Sequence, residues 1–320
     1  KDDQNEANKI WTAVYTSHAD DTDGPVTFTV NYKDVVSIAG SQVTSVNDGT
    51  SVIVDQTAPK VTAIAIASSN SAKATIANLK RSDGKTALFR PKDWDAKRNV
   101  AKTGDVVTLT VTADEFIQIP VVVFKTGSKD IGGSIVYKDT KESESQDNAN
   151  KIWTCKYTAD AGDTDGIVTF TVNYKDAAGN AGQQKTSTTD GTSAVADRSK
   201  PTVGVSIGSN SNVKSTLANT KQQDGSTKIK PPKGWDSKRD AATTGDNVTL
   251  TITANEFIYK PTVVIKAGGQ QVKNTVTVKD TKEGESQANA NKVWTCKYTA
   301  HANDTDGIVT FTLDVKDAAG

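Results

Sequence analysis

Three short acidic loops hold the residues best suited to bind an ion. Asp21 and Asp23, Asp163 and Asp165, and Asp304 and Asp306 each stand two apart in the phrase Asp-Thr-Asp-Gly. Asp20 and Asn303 add nearby oxygens in two of the copies. Calcium takes roughly six to eight hard oxygen ligands, and alternating acids on one loop can supply several of them, so calcium is the one cofactor these residues suggest. The same residues also serve a plain hairpin turn, where Asp and Gly fit the backbone without any ion. No copy has the spacing of an EF-hand loop. A second acid set pairs Asp55 with Asp114 and Glu115, and Asp197 with Asn255 and Glu256. The exchange of Asp for Asn between its copies counts against charge being its purpose.

Other chemistry is sparser. Trp94 lies near Lys92, Lys97 and Arg98, and Trp235 near Lys233, Lys238 and Arg239. An aromatic among cations on a long loop is a candidate contact for a neighbouring chain or a glycan. The alternative is a tryptophan that pins its own loop to the domain. Cys155 and Cys296 occupy one position in two copies where the first has Ala13, which fits a small buried core residue better than a crosslinking thiol. Asn247 and Asn303 begin glycosylation acceptor patterns, meaningful only in a secreted eukaryotic chain. His18 and His301 fall where another copy has Asp160, as solvated turn residues would. No nucleophile elbow, zinc-protease helix, phosphate loop or paired-cysteine motif occurs, so the expectation is that the chain is not an enzyme.

These residues recur because the chain is a repeat. The phrase around Trp11 returns around Trp153 and Trp294, at separations of 142 and 141 positions. The runs IWTCKYT and VTFTVNY alternate with period two and are rich in Val, Thr, Tyr and Phe, which reads as strand. The same reading gives strands in the first copy at residues 10–16, 25–32, 42–46 and 51–54. Strands are also expected at 61–67, 104–116, 120–125 and 133–138, with counterparts in the third copy. Trp153, Cys155 and Tyr157 share one face of their strand, and Trp11, Ala13 and Tyr15 the equivalent face. Asp55 to Val61 and Asp197 to Val203 are short junctions stiffened by Pro59 and Pro201. The domain reading is therefore the closing part of one unit at 1–56, a complete unit at 57–198, and a third unit at 199–320 without its last strands. That layout reads as an excerpt of a longer array. The third unit's closing strands are expected in cis, as in the first two units, with donation by another molecule the alternative. Residues 68–103 and 209–244 form a long polar insertion in each unit.

The phrases VDQTAPKV, TGDVVTLTVTADEF, ANKIWTCKYT, DTDGIVTFTVNYKDAAGNAG and TTDGTSAVAD together resemble tandem immunoglobulin-like repeats of large extracellular adhesins and cell-surface fibres. The resemblance covers nearly the whole chain. It implies an all-β fold of immunoglobulin-like Greek-key sandwiches in a linear array; the long inserted loop of each unit departs from the family's simple repeat. It also implies a stalk with calcium near the junctions, and an extracellular or cell-surface location. The second junction departs from the pattern, reading ADRSKP where the first reads DQTAP.

Bulk properties agree with this reading. Lysine plus arginine and aspartate plus glutamate both number 38, so there is no basic excess for nucleic acid. No apolar run approaches the ~18 residues of a membrane span. The expected function is a structural or adhesive array built from such units, as a stalk, surface appendage or filament. Its partners would be copies of itself or other surface and filament proteins. The alternatives are a surface protein whose insertion loops bind a glycan or protein ligand, and accessory modules of a giant secreted enzyme.

Overall fold

The computed structural model describes residues 9–72, 97–131, 133–143, 149–211, 240–282 and 291–320. Among these residues the fold is all-β, built from several sheets and no barrel. In the first copy, β1 (Gly24–Pro25) pairs with β2 (Ile53–Val54), and isolated bridges join Val30 to Val43 and Lys33 to Ala39.

Among its described residues the second copy has nine strands: β3 (Val61–Ser68), β4 (Arg98–Ala101), β5 (Val106–Ala113), β6 (Val121–Thr126), β7 (Lys129–Asp130), β8 (Val136–Asp139), β9 (Ile152–Thr158), β10 (Gly166–Asn173) and β11 (Ser193–Ala196). One sheet runs β3-β5-β9-β8, the other β4-β11-β10-β6-β7, with β11 parallel to β4. Alternation makes the core. Val107, Leu109 and Val111 of β5, and Trp153, Cys155 and Tyr157 of β9, point inward from the first sheet. Phe124, Phe170 and Val172 meet them from the second, in one continuous cluster consistent with a β-sandwich. Each such side chain gains about 1.5–3 kcal/mol from burial, so these few positions dominate the unit's stability. The Tyr174 hydroxyl accepts the Val61 N–H at 3.2 Å, tying the end of the unit to its start. A Cβ at Gly182 would lie 2.1 Å from the Tyr174 ring and 2.8 Å from the Pro59 carbonyl, so only glycine fits there.

The third copy repeats the plan with β12 (Val203–Ser209), β13 (Asn247–Ala254), β14 (Thr262–Ala267), β15 (Gln270–Gln271), β16 (Thr277–Asp280), β17 (Val293–Thr299) and β18 (Val309–Asp314). Its sheets are β12-β13-β17-β16 and β15-β14-β18. The one-residue difference in repeat length has a structural cause. β3 carries a bulge between Val61 and Ala63, whereas β12 pairs with β13 without one, so Thr62 is the extra residue.

The first copy corrects the strand reading. Residues 10–16 form no strand and residues 25–32 pair only at their ends. Residues 42–46 make one bridge, and 51–54 reduce to β2. Trp11 is 81% exposed where Trp153 is 7%, and Tyr15 is exposed where Tyr157 is buried. The reason is pairing. β9 is held between β5 and β8, and no strand among the described residues lies beside the first copy's equivalent. Alternation sets which face is apolar, but a ladder needs a partner.

Candidate functional site

The six paired acids divide their labour. The first acid of each loop caps its own turn. Asp163 accepts the Asp160 N–H at 2.9 Å, Asp304 accepts that of His301 at 2.8 Å, and Asp21 accepts that of His18 at 2.5 Å together with the Tyr15 hydroxyl. The His18 amide, then the Tyr15 hydroxyl, hold the Asp21 carboxyl below its usual range. In the first two loops the second acid reaches away to the junction. Asp23 accepts the Gln56 N–H at 2.8 Å and the Thr57 hydroxyl, and Asp165 accepts the Arg198 N–H at 3.0 Å and the Ser199 hydroxyl. Asp23 is lowered by the Thr57 hydroxyl first and the Gln56 amide second. The hairpin reading thus accounts for Asp21, Asp163 and Asp304, while Asp23 and Asp165 clamp the chain as it leaves each unit.

The following unit grips the same junction. Asp114 accepts the Lys60 N–H at 2.8 Å and returns its own N–H to the Lys60 carbonyl at 3.0 Å. Asn255 makes the same pair with Thr202, at 2.9 and 3.1 Å. The exchange of Asp for Asn is therefore neutral here, since only an accepting oxygen is used.

Three carboxylates converge beside this clamp. Asp55, Glu115 and Asp176 each present an oxygen within 4.8 Å of the others. Asp176 is almost fully buried. It accepts N–H groups from Gly179 and Asn180 at 2.7 and 2.8 Å, and the Asn180 amide at 2.8 Å. That amide also donates to the Asp55 carbonyl at 3.0 Å. Burial, followed by the charges of Asp114, Asp55, Asp176 and Asp23, pushes the Glu115 carboxyl up from its ordinary value. A hard-oxygen set with crowded negative charge fits a calcium-like cation, with water completing the shell.

The second junction has the same acids, Asp197, Glu256 and Asp317. Among the described residues only the first set meets within that distance. Burial, then Asp317, Glu256 and Asp165, raise the Asp197 carboxyl to about 7, and Arg198 pulls the other way. Glu256 is raised by burial first and by Asp317 next. Asp317 accepts the N–H groups of Ala319 and Gly320 at 2.9 and 2.8 Å, as Asp176 does in its turn.

Asp176 and Asp317 escaped the sequence reading, in which the Lys-Asp-Ala-Ala-Gly phrase served only as part of the resemblance. The available signal was register, because Asp34, Asp176 and Asp317 follow the same strand in all three copies. Trp94, Trp235 and Arg239 lie outside the described residues. Arg98 is on β4, where its Nε donates to the Ser193 hydroxyl of β11 at 3.3 Å. Asn247 opens β13, its side-chain oxygen accepting the Thr299 hydroxyl at 3.0 Å, and Asn303 sits exposed on its loop. Cys155 and Cys296 are buried free thiols, pushed up by burial to about 12 and about 11. No protein-family model matches the chain, and no curated protein matches it.

Proposed function

We propose that this chain is part of a structural or adhesive extracellular array, a stalk or filament of immunoglobulin-like Greek-key units joined by stiffened junctions. One observation carries the reading. Each junction is gripped from both sides by the same bonds, Asp23 and Asp114 on the first and Asp165 and Asn255 on the second. Such a double clamp restrains the angle between neighbouring units, which a load-bearing or spacing element needs and a flexible tether does not. Calcium belongs to the same reading. Asp55, Glu115 and Asp176 would hold the ion, which would neutralise three crowded carboxylates and link the junction to the unit that follows. Asp176 already holds its turn in shape through Asn180, and Asp23 fixes the backbone that presents Asp55.

Negative-stain imaging of the chain, with calcium and with a chelator, tests this. The expected images are rods whose unit-to-unit angle is narrow with calcium and broader without it. Beads at random angles under both conditions would overturn the stalk reading.

A further inference from the structure

Val100 is fully buried, yet it does not point into the core of its own unit. Successive residues of a strand face opposite ways. Ala101 on β4 joins the core of the second unit, whereas Val100 packs with Ala72 and Ala319 in a separate buried cluster. Ala72 and Val100 belong to the two ends of the insertion at 68–103, and Ala319 belongs to the third unit. The outer face of β4 is therefore covered by the insertion's own root and by the next unit.

The side contributed by the second unit is braced. The Asn99 amide donates to the Ile66 carbonyl at 3.0 Å and the Ser193 carbonyl at 3.1 Å, tying β4 to both β3 and β11. Asp105 accepts the Lys102 N–H at 2.8 Å, closing the turn after β4. Asn70 spends its whole side chain at this place. Its oxygen accepts the Ala72 N–H at 2.7 Å, and its amide donates to Asp105 at 2.7 Å and to the Ala319 carbonyl at 3.1 Å.

The side contributed by the third unit is equally fixed. Tyr259 donates its N–H to the Lys316 carbonyl at 2.9 Å and its hydroxyl to the Ala318 carbonyl at 3.4 Å. Asp317 bridges to Ile258 and caps the turn by accepting the Ala319 N–H at 2.9 Å. Ala318 and Ala319 are 5% and 3% exposed.

Both halves belong to the repeat. The Asp-Ala-Ala-Gly turn also stands at residues 176–179. Asp246 accepts the Thr243 N–H at 2.8 Å as Asp105 accepts that of Lys102, and the Ser211 N–H reaches the Ser209 hydroxyl at 3.1 Å as that of Asn70 reaches Ser68. In sequence, Val213 replaces Ala72 while Ala241 replaces Val100, so the two apolar sizes trade places and their sum is kept.

We propose that the two roots of the insertion, at residues 70–72 and 100–105, form a socket for the turn at residues 317–319 of the following unit, and that this contact fixes the rotation of one unit against the next. The clamps of Asp165 and Asn255 both act on the short linking segment, at Arg198 and Thr202. Two holds on one segment leave rotation about it free. Asn70 and Ala319 meet away from that segment, and a third point off an axis stops rotation about it. The insertion is thereby a part of the joint, and its partner is a small, capped turn offering a methyl group and a carbonyl. The proposal rests on the array reading, and the two can fail separately.

Spin labels at Lys125→Cys and Lys266→Cys, both exposed, read the placement of the two units by double electron–electron resonance in excess chelator. Cys155 and Cys296 are buried thiols and stay unlabelled in the folded chain. The otherwise unchanged chain is expected to give one narrow distance distribution. Ala319→Asp puts a charge into the apolar socket and should broaden that distribution at least twofold. Asn70→Asp keeps the acceptor for Ala72 but sets a carboxylate against Asp105 and the Ala319 carbonyl, and should broaden it as well. Ala178→Asp makes the same change in the second unit's own turn and should leave the width unchanged. An unaltered circular dichroism spectrum and unfolding transition is the folding control, and Asn70→Asp keeps the test decisive if the turn variant misfolds. A narrow distribution that persists in the joint variants overturns the socket and leaves the backbone clamps as the source of stiffness. Equal broadening by Ala178→Asp overturns it too, because the effect is then not local. A broad distribution in the unsubstituted joint overturns both the socket and the rigid junction.

Discussion

The two junctions use one wiring diagram and two electrostatic solutions. Gln56 and Arg198 stand in the same register. Gln56 donates its side-chain amide to the His18 carbonyl at 2.5 Å, and Arg198 donates Nη1 to the Asp160 carbonyl at 2.8 Å. Thr57 and Ser199 likewise exchange freely as hydroxyl donors to Asp23 and Asp165. Yet Arg198 brings a permanent positive charge. Its side chain is nine-tenths buried, and its Nη2 lies 3.3 Å from Asp165. Burial alone would raise the Asp165 carboxyl, but the Ser199 hydroxyl and the Arg198 amide and charge together hold it below its usual value. At the first junction no arginine is present at that register, and three acids draw together. The lesson is that the backbone clamp and the charge compensation are separable parts. One junction carries its own cation, and the other gathers three carboxylates with the uncharged Gln56 at that register.

The largest contrast should come from the buried acid itself. Asp176→Ala takes the acceptor from three hydrogen bonds, an expected loss of about 3 kcal/mol at ~1 kcal/mol for each. Asp317→Ala strands two backbone donors and should cost less. Urea denaturation of the two variants measures both, and equal losses would mean that the two turns carry the same load.

Calcium should separate the junctions next. At a hundredfold excess over its dissociation constant, a ligand that binds only the folded form adds about 2.7 kcal/mol to stability. Asp55→Asn is expected to remove most of that gain, and Asp197→Asn to leave it. If both variants lose the gain alike, the distinction between the junctions is wrong.

Much of this was legible beforehand, and the part that was not has a physical explanation. Period-two alternation placed Trp153, Cys155 and Tyr157 on one face of their strand, and that face is buried, because face selection is local. Nearly the same words in the first copy, IWTAVYT, form no strand, because hydrogen-bond ladders are supplied by distant segments. The acid triad shows the same divide. Asp55 and Glu115 were named as neighbours from sequence, but Asp176 lies 61 positions beyond Glu115 and meets it only through the fold. The exchange of Asp114 for Asn255 looked like a weakness of the cluster. It proved to concern a different job, accepting a backbone N–H, for which charge is irrelevant.

A smaller contrast should appear with pH. The Asp197 carboxyl is raised to about 7 in the folded chain against an ordinary 3.8. The folded form therefore keeps a proton that the unfolded form has already released. Its contribution to stability is complete below the ordinary value and is lost as pH rises through about 7. Without calcium, the stability of the third unit should fall between about pH 4 and pH 7, and Asp197→Asn should flatten that slope. A slope of the same size in the variant would place the titration elsewhere.

The smallest effect, and the sharpest, comes from exchanging the two residues that differ. Arg198→Gln keeps a side-chain donor for the Asp160 carbonyl, just as Gln56 serves His18, but removes the charge. The lost ion pair is worth about 1 kcal/mol, because Asp165 remains partly open to water. With the guanidinium gone, Asp197 loses the charge that opposes Asp317 and Glu256, so the second junction should begin to take up calcium. Gln56→Arg should do the reverse, placing a fixed charge beside Asp23 and Asp55 and weakening calcium uptake at the first. Isothermal titration of the two variants reads this directly as a gain or loss of calcium uptake. Unchanged binding in both would show that Arg198 is only another hydrogen-bond donor, and that something other than its charge separates the two junctions.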